Sequence, residues 1–573
     1  MSTLSRRDLL VATASALGSA SCAHAIPDST CASNYVAPDS GPCPCPASDA
    51  GAASAPASAA PSGCELFAYD EIERESPHAV FHPTGEADLA RLLQQISADR
   101  GDRSVTVRGG GLSLDSQSLG KDIVLILDQK DLCTIGLPKR DEKGFHMTVG
   151  AGARWWDVIT ALGPLGLMPP SLQTGGDATV GGTLSADCVS RMSAIVGKEG
   201  SHVRSFRMVL ANGEVVSGCR DSDDPQQKEL YHAVIGGFGY LGVVTEVTFD
   251  LVAARKDAGV CGPEPRVFTR ATRFAPTGDW DAIFRSLQSK SRDRRLSYMR
   301  HRESHHGFLP RDGRAQPVST PEWSALSVAC FLAGYSLEAN LLEQRYTLDA
   351  LRPTPDGIYA KDGSLNAFAE RVDSFWQTAA ELVLDFGWPQ GEFVDDLFGW
   401  AFFFGNSTKK AKAEAHALGY RLNCIQQSFV LPSGPEDRRP DTRPAQRFIE
   451  LILARSHAAD LRPGPIDFLY VGSEGDTSVM SASRGLPGFV ITLAFADRNR
   501  TTLSPPIDDL LRALSSDCRL LGGRVHLVKN VAADPGDLRA MHGDAARQFR
   551  EIKAKYDPRG IFRNEFFSRV FEA

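Results

Sequence analysis

At 573 residues with a formal net charge of −8, the chain is long enough for a large core and two folded domains, and its charge argues against an extended nucleic-acid surface. Charged residues make up 23% and hydrophobic residues 42%, the balance of an ordinary globular protein. No apolar run reaches the roughly 18–20 residues of a transmembrane helix, so no helical membrane span is expected.

Residues 1–25 read as a twin-arginine signal peptide. Ser5-Arg6-Arg7-Asp8-Leu9-Leu10 precedes a mildly apolar stretch, and Ala23-His24-Ala25 offers a small-x-small cleavage site. The pattern predicts export of an already folded protein, periplasmic or secreted. Cys22 is a poor lipidation site because Ser19 stands where a large aliphatic residue is wanted. Residues 26–63, rich in Ala, Pro and Ser, read as a linker. Of 12 cysteines, Cys31, Cys43, Cys45 and Cys64 lie in or beside that linker, and Cys43-Pro44-Cys45 suits a local disulfide after export. The other eight are scattered singly as small hydrophobes, and no metal site is expected.

Thr84, Ala87 and Asp88 open a predicted amphipathic helix whose Leu89, Leu92, Leu93 and Ile96 recur at helical spacing. A strand over 105–107 runs into Arg108-Gly109-Gly110-Gly111. Glycines after a strand let main-chain N–H groups wrap a pyrophosphate, with Ser113 and Gln117 as further polar contacts. A strand over 123–127 follows, then HMTVGAG (146–152) and a helix carrying Trp155, Val158 and Leu162. Thr179-Val180-Gly181-Gly182-Thr183-Leu184-Ser185 is a second glycine turn able to approach an anion closely. The alternating Val203, Phe206, Met208 and Leu210 end in Ala211-Asn212-Gly213-Glu214, a hairpin signal. Gly237-x-Gly239-x-x-Gly242 formally matches the dinucleotide fingerprint, but a helix precedes it and a strand (243–251) follows. That order is the reverse of a Rossmann unit, so nicotinamide binding of that kind is excluded. Strands and helices alternating with glycine turns give an α+β pattern.

RGGGLSLDSQ, VGAG, TVGGTLS and ELYHAVIGGFGYLGVVTEVTF, in this order, resemble the FAD-binding domain of the vanillyl-alcohol-oxidase (VAO/PCMH-type) flavoprotein superfamily. The resemblance implies a two-subdomain FAD-binding domain over 64–260, an α+β substrate (cap) domain over 261–497, and a segment 498–573 that returns to the FAD site. It assigns Gly109, Gly110, Gly111, Leu112 and Ser113 to a first cofactor loop, and Thr179, Gly181, Gly182, Thr183 and Ser185 to a second. Gly242, Val243 and Val244 would contact the adenine side. Many members carry a histidine, covalently bonded to the flavin, where this chain has Leu112; non-covalent FAD is therefore implied.

Beyond residue 260, SYMRHRESHHGF places His301, His305 and His306 together, read as surface histidines rather than metal ligands. LFGWAFFF (397–404) suits core or interface packing, with an apolar substrate wall or peripheral membrane contact as the sharper alternative. In GGRVHLVKN, strand alternation sets Arg524, His526 and Val528 on one face and Val525, Leu527 and Lys529 on the other. Lys529 at a strand end can stabilise charge developing on a substrate oxygen, and His526 can accept an alcohol proton near neutral pH. An edge-strand lysine in solvent is the plain alternative.

This segment, continued by LRAMHGDAARQFREIKAKYDPRGIFRN, resembles the close of sugar and aldonolactone oxidases and of decaprenylphosphoryl-ribose 2′-oxidases. In the latter the motif lysine faces flavin and substrate, which carries over to Lys529. Ser193-Ala194 and Thr492 stand where those enzymes have a histidine pair and a cysteine, and His526 where they have an aromatic residue. The sequence thus predicts an FAD-dependent oxidoreductase acting on a CH–OH group of a sugar-, polyol- or lactone-like small molecule, with oxygen or a quinone as acceptor. Amine oxidation of the cytokinin-dehydrogenase kind, which the TVGGTLS to VTEVTF stretch also resembles, and a non-catalytic flavin-containing partner protein are the alternatives.

Overall fold

The structure, a computed structural model, describes most of residues 64–253 and 422–573. Between these it describes Gly259, helix Trp280–Arg292 and the strands Pro265–Arg266, Phe268–Phe274, Arg295–Arg302, Asn340–Thr347, Arg352–Pro353 and Gly391–Val394. The expected signal peptide and linker, the 397–404 stretch, His305 and His306 lie outside the described residues. Cys64 is disulfide-bonded.

Strands Ala79–Phe81, Ile123–Ile126 and Val105–Arg108 form a three-stranded parallel sheet, with Ile123–Ile126 in the centre. Its central strand is apolar on both faces because both are covered. Ile123 and Leu125 meet Leu89, Leu93 and Ile96 of helix Glu86–Ala98, while Val124 and Ile126 meet Cys64 and Leu66. The helix begins where the main-chain N–H of Thr84 donates to Asp88 Oδ2 at 2.9 Å. Since all three strands run the same way, Arg108 delivers the glycine loop to the carboxyl edge of this sheet.

A second, antiparallel sheet runs in the order Val215–Cys219, Val203–Val209, Val243–Ala253, Gly144–Gly150, Lys139–Asp141. The expected hairpin joins its first two strands, with Gly213 at φ +80°. Helix Pro225–Val234 precedes the 236–242 glycine segment and strand Val243–Ala253 follows it, the order that excludes a Rossmann unit. Phe238 and Tyr240 of that segment pack against Phe566, Phe567 and Phe571 of the last helix, Glu565–Phe571.

A third, eight-stranded antiparallel sheet ends in the order Ile466–Val471, Gly488–Arg498, Leu422–Pro432, Arg524–His526. Phe284, Phe429, Phe448, Phe468 and Phe489 fill the core between it and helices Trp280–Arg292 and Arg443–Ala458. The mixture of helix-covered parallel and antiparallel sheets is the expected α+β fold. The 498–573 segment divides between the lobes. Strand Arg524–His526 extends the third sheet, helix Pro535–Tyr556 packs against that strand and against helix Pro225–Val234, and helix Glu565–Phe571 packs on the Phe238–Tyr240 segment. No described helix is long and apolar enough to cross a membrane.

Two buried polar hubs hold the last helices. Lys553 Nζ donates to the carbonyls of Tyr240 (2.6 Å) and Phe562 (2.8 Å) and to Asp557 (2.6 Å). Asn564 caps the last helix by accepting from Phe567 N–H, accepts from the Tyr240 hydroxyl, and donates to the carbonyls of Ser116, Gln117 and Leu119. Replacing Asn564 by Ala leaves those groups without partners at a cost of about 2–4 kcal/mol. Urea unfolding of Asn564→Ala should show a lower midpoint with an unchanged slope; a loss within about 0.5 kcal/mol would show that the cap is dispensable.

Candidate functional site

The first glycine loop leaves the parallel sheet at Arg108, whose guanidinium donates to the Phe67 carbonyl (2.8 Å) and the Ser118 hydroxyl (3.1 Å). Its glycines are required by backbone contacts. A Cβ on Gly109 would stand 2.2 Å from Thr179 Oγ1, and one on Gly110 would stand 2.5 Å from the Asp177 carbonyl oxygen. Gly111 adopts φ +71°. Among the described residues, no main-chain N–H over 109–113 finds a protein acceptor, while the loop is only half-exposed. Consecutive N–H groups without a protein acceptor can form an anion cradle, and they fit the pyrophosphate of FAD. Leu112 is half-buried beside them, and the Ser113 hydroxyl is bonded to that of Ser118.

The second glycine stretch differs from the expected open turn. Thr179 is the N-cap of a short helix, Val180–Ala186, and the donors that were to face an anion already have acceptors. Gly181 N–H donates to the Ala151 carbonyl at 2.8 Å and Gly182 N–H to Thr179 Oγ1 at 3.3 Å. A Cβ on Gly181 would meet Ala151 Cβ at 2.7 Å, so this glycine permits packing against the 150–152 turn. Thr183 is also committed internally, its hydroxyl accepting from Trp155 Nε1 (2.8 Å) and donating to Glu199 Oε1 (2.6 Å). The Ser185 carbonyl accepts from Phe238 N–H. Gly242, Val243 and Val244 begin the central strand of the second sheet, with both valines buried and paired against Val209 and Met208. The Thr245 carbonyl accepts from Ala151 N–H, so the second and third stretches lie on either side of Ala151.

The C-terminal motif also departs from strict alternation. The strand ends at His526, and Leu527, Val528 and Lys529 form the following turn. Gln117, expected beside the cofactor, instead donates its side-chain amide to the carbonyls of Leu527 (2.9 Å) and Lys529 (3.0 Å). His526 is buried, its Nε2 has no partner among the described residues, and burial with nearby Lys198, Lys529 and His542 lowers its pKa to about 3. The expectation that it serves as a base near neutral pH is therefore corrected. Its imidazole stays neutral and offers a hydrogen-bonding nitrogen.

Residues that the motifs did not single out surround this pair. Lys198 and Asp187 form a buried ion pair, and Lys198 also donates to the Ser481 hydroxyl. Glu199 is buried with Oε2 unpartnered among the described residues, and burial raises its carboxyl pKa well above the ordinary value. Burial also pushes the Cys188 thiol up to about 12, against the pull of Lys529 and Lys198. The signal available in the sequence was Lys198-Glu199, two charges set between glycines just after the TVGG stretch.

Two outcomes follow for the site. Gly109→Ala should lose FAD on purification, read as the ratio of flavin to protein absorbance. Adding Thr179→Ala removes the 2.2 Å contact, leaving only separations of 3.4 Å or more, and should restore loading; no rescue would mean the loop fails for another reason. His526 and His542, the latter lowered to about 4 chiefly by burial, both stay neutral in the folded protein where the unfolded chain is protonated. Each therefore removes stability as pH falls below the unfolded value of about 6.5, approaching ~1.4 kcal/mol per pH unit. His542→Gln, which keeps a donor for the Val525 carbonyl, should flatten the pH dependence of urea stability between pH ~6.5 and ~4 by one proton; equal slopes would contradict the shift.

Comparison with known proteins matches these two regions separately. Residues 77–218 match a model described as FAD binding domain, and residues 479–570 match one described as D-arabinono-1,4-lactone oxidase. The chain is 31% identical over 196 residues to cytokinin dehydrogenase 8 of Oryza sativa subsp. indica, covering 32% of this chain and 36% of that protein. It is 31% identical over 183 residues to cytokinin dehydrogenase 5 of Arabidopsis thaliana, covering 31% and 33% respectively. It is 32% identical over 180 residues to an uncharacterized oxidoreductase of the fasciation locus of Rhodococcoides fascians, covering 31% and 39%. The chain thus spans about a third of the length of the relatives it matches. The loop with unpartnered main-chain N–H groups lies inside the matched FAD binding domain, so residues 77–218 form a PCMH-type FAD-binding domain with FAD as its cofactor, and the 479–570 region is similar to D-arabinono-1,4-lactone oxidase.

Proposed function

We propose that the protein oxidises a CH–OH group of a sugar-, polyol- or lactone-like substrate, with FAD held non-covalently. The observation that carries this reading is the D-arabinono-1,4-lactone oxidase match over 479–570, which contains His526 and Lys529, together with the hydrogen bonds that join Lys529 to the segment beyond the cofactor loop. Leu112, which has no nucleophile, supports a non-covalent cofactor. Oxygen or a quinone serves as electron acceptor, and the twin-arginine pattern supports export.

Bound FAD supplies the acceptor for a hydride from the substrate carbon. Lys529, which has no ion-pair partner among the described residues, donates a hydrogen bond to the substrate oxygen and stabilises the negative charge that grows there. His526 hydrogen-bonds the substrate oxygen through Nε2 and orients it, while the hydroxyl proton passes to water. The buried Lys198–Asp187 pair lies beside His526.

Amine oxidation is the second reading, supported by the cytokinin dehydrogenases aligned over the FAD region. Anaerobic bleaching of the flavin separates the readings. Sugars, polyols or lactones should bleach it; bleaching by isoprenoid amines alone would favour the second reading, and no bleaching by any donor a non-catalytic flavoprotein. Lys529→Met should retain FAD and slow reduction by roughly 100-fold or more. A wild-type rate would remove Lys529 from the mechanism.

A further inference from the structure

Lys529 sits where regular pairing has ended. Strand Arg524–His526 is laid against Val430, Phe429 and Ser428, and the chain then turns away from the sheet. The carbonyls of Leu527 and Lys529 are taken up by one side chain, the buried amide of Gln117, which uses both of its N–H groups on them. The amide bridges 410 and 412 residues of sequence and does for this turn what a neighbouring strand does for a ladder.

The same short segment holds the turn at its far end. Asp115 Oδ2 accepts from Val531 N–H at 3.1 Å. Asp70 Oδ2 accepts from Asp115 N–H (3.1 Å) and from Asn530 Nδ2 (2.6 Å). Arg569 ties the Val531 carbonyl to Asp115, each at 2.5 Å. On the other side the third sheet holds Asn530 through the Gln426 main chain, whose carbonyl accepts from Asn530 N–H and whose N–H donates to Asn530 Oδ1, and holds the Ala532 main chain through the Gln427 side chain. The backbone that presents the Lys529 side chain is therefore set by residues 115–117, directly after the cradle.

We propose that Gln117 is a positioning residue for Lys529, fixing the turn from which the ammonium reaches the substrate oxygen. This rests on the reading that Lys529 acts on the substrate. Loss of the amide donors frees both carbonyls and lets the turn move, and a displacement of about 1 Å at a catalytic group lowers a rate by up to ~100-fold. FAD affinity is carried by the main chain over 109–113 and stays nearly unchanged.

Gln117→Leu keeps the volume and removes the donors; Gln117→Glu keeps the shape and turns acceptors toward two carbonyls. Each variant, loaded with FAD, should show flavin reduction slowed ~10–100-fold, with the glutamate at least as slow as the leucine and FAD dissociation constants within ~3-fold of wild type. Hydrogen exchange should rise in the peptide covering 524–532. The decisive measurement is the double variant with Lys529→Met. If Gln117 acts through Lys529, Gln117→Leu adds no further slowing to Lys529→Met; if its role is general packing, the two effects multiply. Wild-type reduction in Lys529→Met would overturn the role of Lys529. Slow reduction in Lys529→Met, with wild-type rates in both Gln117 variants or multiplying effects, would overturn the positioning role alone. If the leucine variant fails to fold, the glutamate variant and its double carry the same comparison.

Discussion

The molecule depends on the clasp around residues 526–532. From the FAD-binding side come the Gln117 amide and the Asp115 and Asp70 carboxylates; from the third sheet come Gln426 and Gln427. The Gln117–Leu527, Asp115–Val531 and Gln427–Ala532 bonds run from side chain to main chain and are buried, so each of these left unmade would leave a desolvated group. Their geometry is what joins two separate lobes into one site. Arg569 and Asn564 of the last helix region then lock the same segment from outside, to the Val531 carbonyl and to the carbonyls over 116–119. The C-terminal helices thus act on the site at one remove, through the loop that follows the cradle.

The two glycine stretches look alike as sequence and do different work. In the first, close approach of 109–111 to Asp177 and Thr179 leaves the N–H groups pointing to no protein acceptor. In the second, helix Val180–Ala186 and the Ala151 carbonyl absorb the N–H groups, and the glycines serve contact with Ala151 and Thr179. Composition cannot separate these cases, because glycine is demanded equally by a ligand and by a neighbouring backbone. What separates them is whether each donor has an acceptor, which only the tertiary structure fixes.

Local periodicity carried the elements well. The Leu89, Leu93, Ile96 stripe, the hairpin at Asn212-Gly213 and the reversed order around Gly237 were all legible, since each is decided by near neighbours. The failures share a cause. Alternation extended GGRVHLVKN as a strand to Lys529, but the partner strand stops opposing it at Ser428, and a side chain more than 400 residues away captures the rest. His526 read as a base from its type, whereas its pKa is set by burial and by Lys198, brought in from the 187–199 segment, together with Lys529 and His542. Lys198 and Glu199 carried no motif. Their importance comes from being buried, which a charged pair between glycines does not announce.

That burial bears on the charges around His526 and Lys529. Lys198 is matched by Asp187, His526 is neutral, and Glu199 is held toward its protonated form by burial. Of the cations near His526, Lys529 has no ion-pair partner among the described residues. In a site of low polarisability an unmatched cation is stabilised by whatever negative charge comes near it, far more than it would be in water. An alcohol oxygen becomes more negative as its proton leaves ahead of the hydride, and an ammonium beside it lowers the energy of that alkoxide-like state while gaining little from the neutral alcohol. An amine nitrogen moves the opposite way, toward an iminium cation, and the same ammonium would oppose it. The same electrostatics support the proposed alcohol reading, whereas the likeness of the cofactor domain to cytokinin dehydrogenases supports the amine reading.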